Sequence, residues 1–250
     1  MLKNPATYFL TMAQQKGKSP NFWMSEEYID LAGLEWSEGY GFQGFRDEER
    51  VWIFPYFLTH HQIFSGTHSL TSFQDEPKGG LSFWDYEFIY DPKDFLSLNG
   101  KKWKTFRKNI KKHWPKDYKY RRLKDQDQDD VAELFLKWSE GKTLYDPETF
   151  TNFVLWGKNR WGLFLDGVLR GVNVFDTNWK YINYRICFDD GELYLNEYLR
   201  YKFYTSQWTL EQNKLVNDGG CLGSEGLERF KRKLNPIEVK MIYTGVENES

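Results

Sequence analysis

The sequence is poor in the residues that carry disulfide and metal chemistry. Its 250 residues hold two cysteines and four histidines. Two cysteines, Cys187 and Cys221, build no disulfide framework and read as reduced intracellular thiols. His60, His61 and His68 follow no zinc spacing and have no cysteine partners, so no metal is expected. No apolar run approaches the roughly 18 residues that span a bilayer, and residues 1–15 lack the apolar stretch of a signal peptide. The expectation is a soluble, cytoplasmic chain without a transmembrane segment. Neither sign of charge dominates, since 34 basic residues face 36 acidic ones for a net charge of −2. That excludes a general polyanion binder and an acidic tail protein. There is no P-loop, no dinucleotide-binding G-x-G-x-x-G and no G-x-S-x-G nucleophile elbow, and no repeat of solenoid period.

Aromatic residues are plentiful, at 19% with eleven tryptophans. Most are expected to fill the core in place of smaller apolar residues. Charge is strongly segregated in one place. Residues 99–124 hold twelve basic side chains, opposed only by Asp117. Within that stretch Trp103, Phe106 and Ile110 recur at three- and four-residue spacing, which predicts an amphipathic helix with a basic face, ended by Pro115. Two readings stand. Arg107, Lys108 and Lys111 track a phosphate backbone, with Trp103 and Trp114 nearby to stack, or the face is simply solvated.

The change in charge near Asn99–Gly100 divides the chain into residues 1–98 and 99–250. The first part reads as β-rich: a hairpin from 39–46 and 51–58 with its turn at 47–49, a strand over 81–90, and a short helix capped by Ser25. The second part is regular. Strand signals at 118–123, 161–165, 168–175, 180–188, 214–218 and 239–244 alternate with helix signals at 127–140, 147–156, 193–211 and 224–233. Asp166–Gly167 marks a tight hairpin. This order predicts an α/β (α+β) mixed sheet with antiparallel hairpins in its middle and parallel crossovers later.

Candidate chemistry collects at two strand ends. Asn183 and Arg185 alternate with Ile182, Tyr184 and Ile186 along one strand. Asn217–Asp218 closes another at the carboxyl end, where open α/β sheets bind ligands, and Asp218 is the candidate base. The same stretch also reads as an ordinary turn. Cys221 precedes a helix, a position that lowers a thiol's pKa.

The element order resembles the GNAT (acyl-CoA N-acyltransferase) fold. Two stretches sharpen the resemblance. Leu98-Asn99-Gly100-Lys101-Lys102, continuing through Arg107-Lys108-Asn109-Ile110, is similar to a helix of the phosphatidylglycerol lysyltransferase C-terminal domain family. Val216-Asn217-Asp218-Gly219-Gly220, followed by Gly226-Leu227-Glu228-Arg229-Phe230-Lys231, is similar to the closing segment of that family and of the Fem-type aminoacyltransferases. The β-rich first part would then correspond to a degenerate GNAT-like half.

The resemblance implies transfer of an acyl or aminoacyl group from acyl-CoA or aminoacyl-tRNA to an amine or hydroxyl of a small, lipid-type or macromolecular acceptor. It places the donor in a split between 181–188 and 214–218, with Asn183, Arg185, Asn217 and Asp218 around it. Lys231 reads as neutralising developing charge, as binding a carboxylate, or as a surface lysine. Residues 188–193 depart from the glycine-rich pyrophosphate loop of CoA-binding members. They hold three carboxylates and one glycine, which tells against CoA. The helix at 224–233 carries no tyrosine, so Tyr243 is the general acid by residue type alone. The alternative is a catalytically inactive GNAT-fold protein that binds nucleic acid through residues 99–124.

Overall fold

Local signals in the sequence set most of the elements. The structure, a computed structural model, describes residues 5–15, 20–39, 42–46, 50–53, 69–74, 82–142 and 147–247. Helices α1 (Pro5–Gln15) and α2 (Glu26–Leu31) come first. Five strands follow: β1 (Glu35–Gly39), β2 (Phe42–Arg46), β3 (Arg50–Ile53), β4 (Ser69–Gln74) and β5 (Ser82–Tyr90). Then come α3 (Asp94–Ser97), α4 (Lys104–Ile110), β6 (Lys119–Arg122), α5 (Gln128–Ser139) and α6 (Pro147–Trp156). A three-strand meander of β7 (Asn159–Leu165), β8 (Val168–Thr177) and β9 (Tyr181–Asp189) leads into α7 (Leu195–Tyr204) and α8 (Gln207–Glu211). The chain closes with β10 (Leu215–Asn217), α9 (Glu225–Lys233) and β11 (Glu238–Glu247).

These strands form one mixed sheet in the order β1-β2-β3-β4-β11-β5-β10-β9-β8-β7-β6. Ser25 caps α2, its Oγ accepting the Tyr28 N–H at 3.0 Å, and Ser224 caps α9 in the same way. Asp166 and Gly167 both take positive φ between β7 and β8, as a tight hairpin of this hand requires. The β2–β3 hairpin forms with Phe45 opposite Trp52, while 47–49 and 54–58 lie outside the described residues, as do His60, His61 and His68.

Helices cover both faces at the β8–β9 end of the sheet. On one face Phe106 and Ile110 of α4 and Leu195, Leu199 and Phe203 of α7 pack on Phe175, Ile182 and Tyr184. On the other, Val131, Leu134 and Phe135 of α5 and Phe153 and Val154 of α6 pack on Val172, Val174, Ile186 and Phe188. A third cluster joins α1, α2, Trp23 and Met24 to Phe45 and Ile242. Burial of this many large aromatic side chains is the main driving force for folding.

Four expectations need correction. The basic helix stops at Ile110, not at Pro115: the Lys112 and His113 N–H groups turn back to the Asn109 and Ile110 carbonyls, three residues away, and tighten the chain into turns. The helix expected over 193–211 is two helices, because Ser206 is extended and its Oγ accepts the Thr209 N–H at 3.2 Å, starting α8 afresh. Strict alternation along β9 fails because Val174 pairs with Ile186 while Phe175 pairs with Tyr184. Arg185 is the extra residue of a β-bulge, so Ile186 faces α5 and α6 instead of joining Ile182 and Tyr184. Finally, β11 is not the parallel neighbour of β10. β5, from before Asn99, lies between them and is antiparallel to both.

Candidate functional site

Parallel β9 and β10 pair over three residues, Leu215 with Tyr181, Val216 with Ile182 and Asn217 with Asn183. β10 then ends at Asn217 while β9 continues to Asp189, so the strands part beyond the two asparagines. Val216 and Ile182 face α7. Asn217 and Asn183, one residue on, therefore face the other way.

On that opposite face lies a buried polar row crossing four strands. Asp176, Asn183, Asn217 and Glu87 are each fully buried. Asn183 Nδ2 donates to Asp176 Oδ1 at 2.7 Å, and Asn217 Nδ2 donates to Glu87 Oε2 at 2.9 Å. The bulged Arg185 turns Nε and Nη2 onto Asp176 Oδ2 at 2.9 and 2.8 Å. Residues 20–25 roof the row. Ser25 Oγ donates to Asp176 Oδ2 at 2.5 Å, the Phe22 N–H donates to Glu87 Oε1 at 2.6 Å, and the Phe22 ring lies 4.2 Å from the Arg185 guanidinium carbon. Gly219, at φ +59°, leaves room for that ring: a Cβ there would stand 2.9 Å from it.

Asp218 belongs to the α7 face. Its carboxylate is held by Arg200 Nη1 and, at 3.3 Å, by Lys231 Nζ, all three side chains being buried. Lys231 also donates to the carbonyls of Asp218, Gly219 and Gly220, fastening α9 to the turn that ends β10. Burial holds the Lys231 ammonium below its ordinary range, against the pull of Asp218. A Cβ on Gly220 would collide with the Asp85 carboxylate, which accepts the N–H groups of Cys221 and Leu222 at 3.1 and 2.7 Å. The expectation of a low-pKa Cys221 fails here. Burial, with the thiol donating to Asp85 Oδ1 at 3.2 Å, pushes it up to about 11.

The structure thus brings Asn183, Arg185 and Asn217 together on one face, with Asp218 and Lys231 behind them. Tyr243 lies elsewhere: it pairs with Phe83, whereas Asn217 pairs with Ile89, about 20 Å further along β5 at roughly 3.3 Å per residue. Arg107 is an anchor, Nη1 donating to the Leu98 carbonyl and, at 3.0 Å, to that of Gly100. Lys108 is exposed, and Lys111 lies 5.5 Å over the half-exposed Trp114 ring. Lys101, Lys104, Lys108, Lys111 and Lys112 are all exposed and form no ion pair among the described residues.

The acidic turn after β9 is largely neutralised from within. Arg170 pairs with Asp190, and Lys116 pairs with Glu192, whose carboxyl it holds below the usual range. In the first turn of α7, Glu197 is buried, takes Asn109 Nδ2 at 3.0 Å on both oxygens and pairs with Lys233 at 2.6 Å. The first turn of α7 therefore carries a buried negative charge of the chain's own, held by side chains of α4 and α9.

Asp176, Glu87 and Arg200 were not anticipated, and Ser25 shows in the sequence only as a helix cap. Asp85 and Glu87 alternate with Trp84, Tyr86 and Phe88, and Asp176 closes the apolar run Val-Asn-Val-Phe. Acids inside strands of that kind are the one signal the sequence offered.

No protein-family profile and no curated protein matches the sequence. Solved structures do. A conserved protein of unknown function from Bacteroides thetaiotaomicron VPI-5482 aligns with TM-score 0.66 and 15% identity, over 91% of this chain and 90% of that one. L-PGS from Bacillus licheniformis aligns with TM-score 0.53 and 15% identity, over 73% and 69%. The C-terminal domain of a putative lysylphosphatidylglycerol synthetase from Agrobacterium fabrum gives 0.51 and 14%, over 73% and 69%, and FemX gives 0.53 and 12%, over 72% of each chain. At these identities the likeness is one of fold. The chain has a GNAT-like mixed α/β fold, in keeping with the resemblance seen in its sequence. Among the described residues no helix is long and apolar enough to cross a membrane.

Proposed function

We propose that this protein is an acyl or aminoacyl transferase acting at the parting of β9 and β10. The observation that carries this reading is that the strands separate directly beyond the Asn183–Asn217 pair, above a buried, fixed polar row. A backbone N–H left without a ladder partner where two strands part stabilises charge that develops on a carbonyl oxygen, and the row beneath holds the two strand ends in place. The acceptor's nitrogen or oxygen attacks the donor carbonyl, the bond to the donor's leaving oxygen or sulfur breaks, and the acceptor's proton passes to the leaving atom or to water. Asp218 has both oxygens engaged by cations, which favours its holding Arg200 and Lys231 in place over its serving as a free base.

Two features support aminoacyl-tRNA over acyl-CoA as donor. The stripe of five exposed lysines between Lys101 and Lys112, without ion pairs among the described residues, suits a phosphate backbone, and the buried Glu197 puts a negative charge in the first turn of α7, where a pyrophosphate would sit. The alternative of an inactive nucleic-acid-binding protein gains nothing of its own, since the lysine stripe serves both readings. The test offers bulk tRNA charged with labelled amino acids, and separately labelled acetyl-CoA, with small amines and with phosphatidylglycerol vesicles as acceptors. Label moving from tRNA is the expected result. Label moving from acetyl-CoA alone reverses the donor assignment, and transfer from neither refutes the proposal.

A further inference from the structure

Three polar groups in the wall of the buried row lack the partners their chemistry asks for. Arg185 spends Nε and Nη2 on Asp176, yet Nη1 has no hydrogen-bond partner although the side chain is only 3% exposed. Asn21, also 3% exposed, uses Oδ1 to accept the Trp23 N–H at 3.1 Å, while Nδ2 has no partner. The two belong to one network: Asn178 Nδ2 reaches both the Asn21 carbonyl and Asn183 Oδ1 at 3.4 Å, and Asn183 shares Asp176 with Arg185. Buried donors are almost always satisfied, so two in one network require a reason.

The third group is Glu27, buried on α2. It accepts the Lys158 N–H at 2.6 Å and forms no ion pair among the described residues. Burial holds its carboxyl above the ordinary range, and Asp176 and Arg185 are near enough to act on its charge. Two donors ask for an oxygen acceptor, and an acid asks for a cation. A carboxylate ligand would add negative charge where Asp176, Glu27 and Glu87 already outnumber Arg185. A plain acyl carbonyl would leave Glu27 unanswered.

We propose that this cluster binds an α-amino carbonyl group, with its carbonyl oxygen on Arg185 Nη1 and Asn21 Nδ2 and its ammonium on Glu27. Residues 20–25 form a strap over the site. Phe22, stacked on Arg185 and pressed against Gly219, moves aside to admit the ligand. The inference rests on the transfer reading above and narrows it. An aminoacyl ester donor and the N-terminus of a peptide-like acceptor share this chemistry.

The experiment titrates the full chain with alaninamide, propionamide and alanine, by calorimetry and thermal shift. Alaninamide is expected to bind, with propionamide (no amine) and alanine (an added carboxylate) weaker by about tenfold or more. Two variants keep the observed hydrogen bonds: one removes the unanswered acid, and the other replaces an unanswered donor by an oxygen that repels the ligand's carbonyl. Glu27→Gln retains the acceptor for Lys158 and is expected to melt higher at neutral pH yet bind alaninamide about tenfold more weakly; a merely structural glutamate would not move the two readings in opposite directions. Asn21→Asp retains Oδ1 and is expected to lose affinity likewise. Equal binding of alaninamide and propionamide, no binding of alaninamide, or unchanged affinity in both variants overturns the site. Competition against donor or against acceptor in the transfer assay assigns the source of the group. Transfer without alaninamide binding leaves the proposed function standing and removes this site; alaninamide binding without transfer does the reverse.

Discussion

At the scale of single residues, the molecule invests most in buried charges that answer one another. Asp218 pairs with both Arg200 and Lys231, all three side chains being at most 7% exposed. Asp218→Asn leaves two cations buried against a neutral amide, and the expected loss is about 3–5 kcal/mol, read from urea unfolding at pH 7. A loss under about 1 kcal/mol would mean the triad behaves like a surface pair. The cysteines give a second expectation. Burial pushes the Cys221 thiol up to about 11 and Cys187 up to about 12. An unfolded thiol ionises near about 8.5, so the native protein holds these protons more tightly. The stability they add is complete below the unfolded value and is lost as pH rises through the native one. Alkylation of the native protein by iodoacetamide at pH 7.5 is therefore expected to be far slower than that of the protein in urea; equal rates at Cys221 would contradict its buried placement.

At the scale of elements, α4 and the turns after it do two jobs with opposite faces. Trp103, Phe106 and Ile110 are buried against Phe95 and α7, while the lysines between them project outward. The residue spacing alone makes this legible, because a helix with one apolar stripe has only one way to bury it. Which basic residues are spent at home was not legible. Lys116 goes to Glu192, Arg121 to Asp127 and Arg107 to two carbonyls, all partners brought near by folding. If the remaining stripe reads phosphates, Lys108→Gln, Lys111→Gln and Lys112→Gln together should reduce the slope of log binding constant against log salt by roughly 0.7–0.9 for each phosphate left without its lysine. Filter binding of bulk tRNA across a salt series checks this, and an unchanged slope would exclude these three lysines.

At the scale of the whole molecule, β5 ties the first part of the chain to the second. It pairs with β10 on one side and β11 on the other, and its Asp85 and Glu87 serve Cys221, Leu222 and Asn217. A fragment of residues 99–250 would expose the edges of β10 and β11 and leave the site without Glu87 or its roof. Such a fragment is expected to lose cooperative unfolding, and the full chain to show one calorimetric transition. A fragment that melts cooperatively would show that the charge break at Asn99–Gly100 is also a folding boundary.

The sequence alone determined the elements whose signals are local: the Ser25 and Ser224 caps, the Asp166–Gly167 turn, the amphipathic α4, and the strand–helix order from β6 to β11. These depend on residues within a turn or two of each other, where periodicity and capping chemistry act directly. It also singled out Asn183, Arg185 and Asn217, though without their partners. Only the tertiary structure placed β5 between β10 and β11, bulged β9 at Arg185, and drew residues 20–25 over the row. The place of β5 and the roof depend on pairing between segments 65 to 160 residues apart, the bulge on the register of β9 against its neighbour β8, and a strand's register is fixed by what it can bury against its partner, not by its own composition.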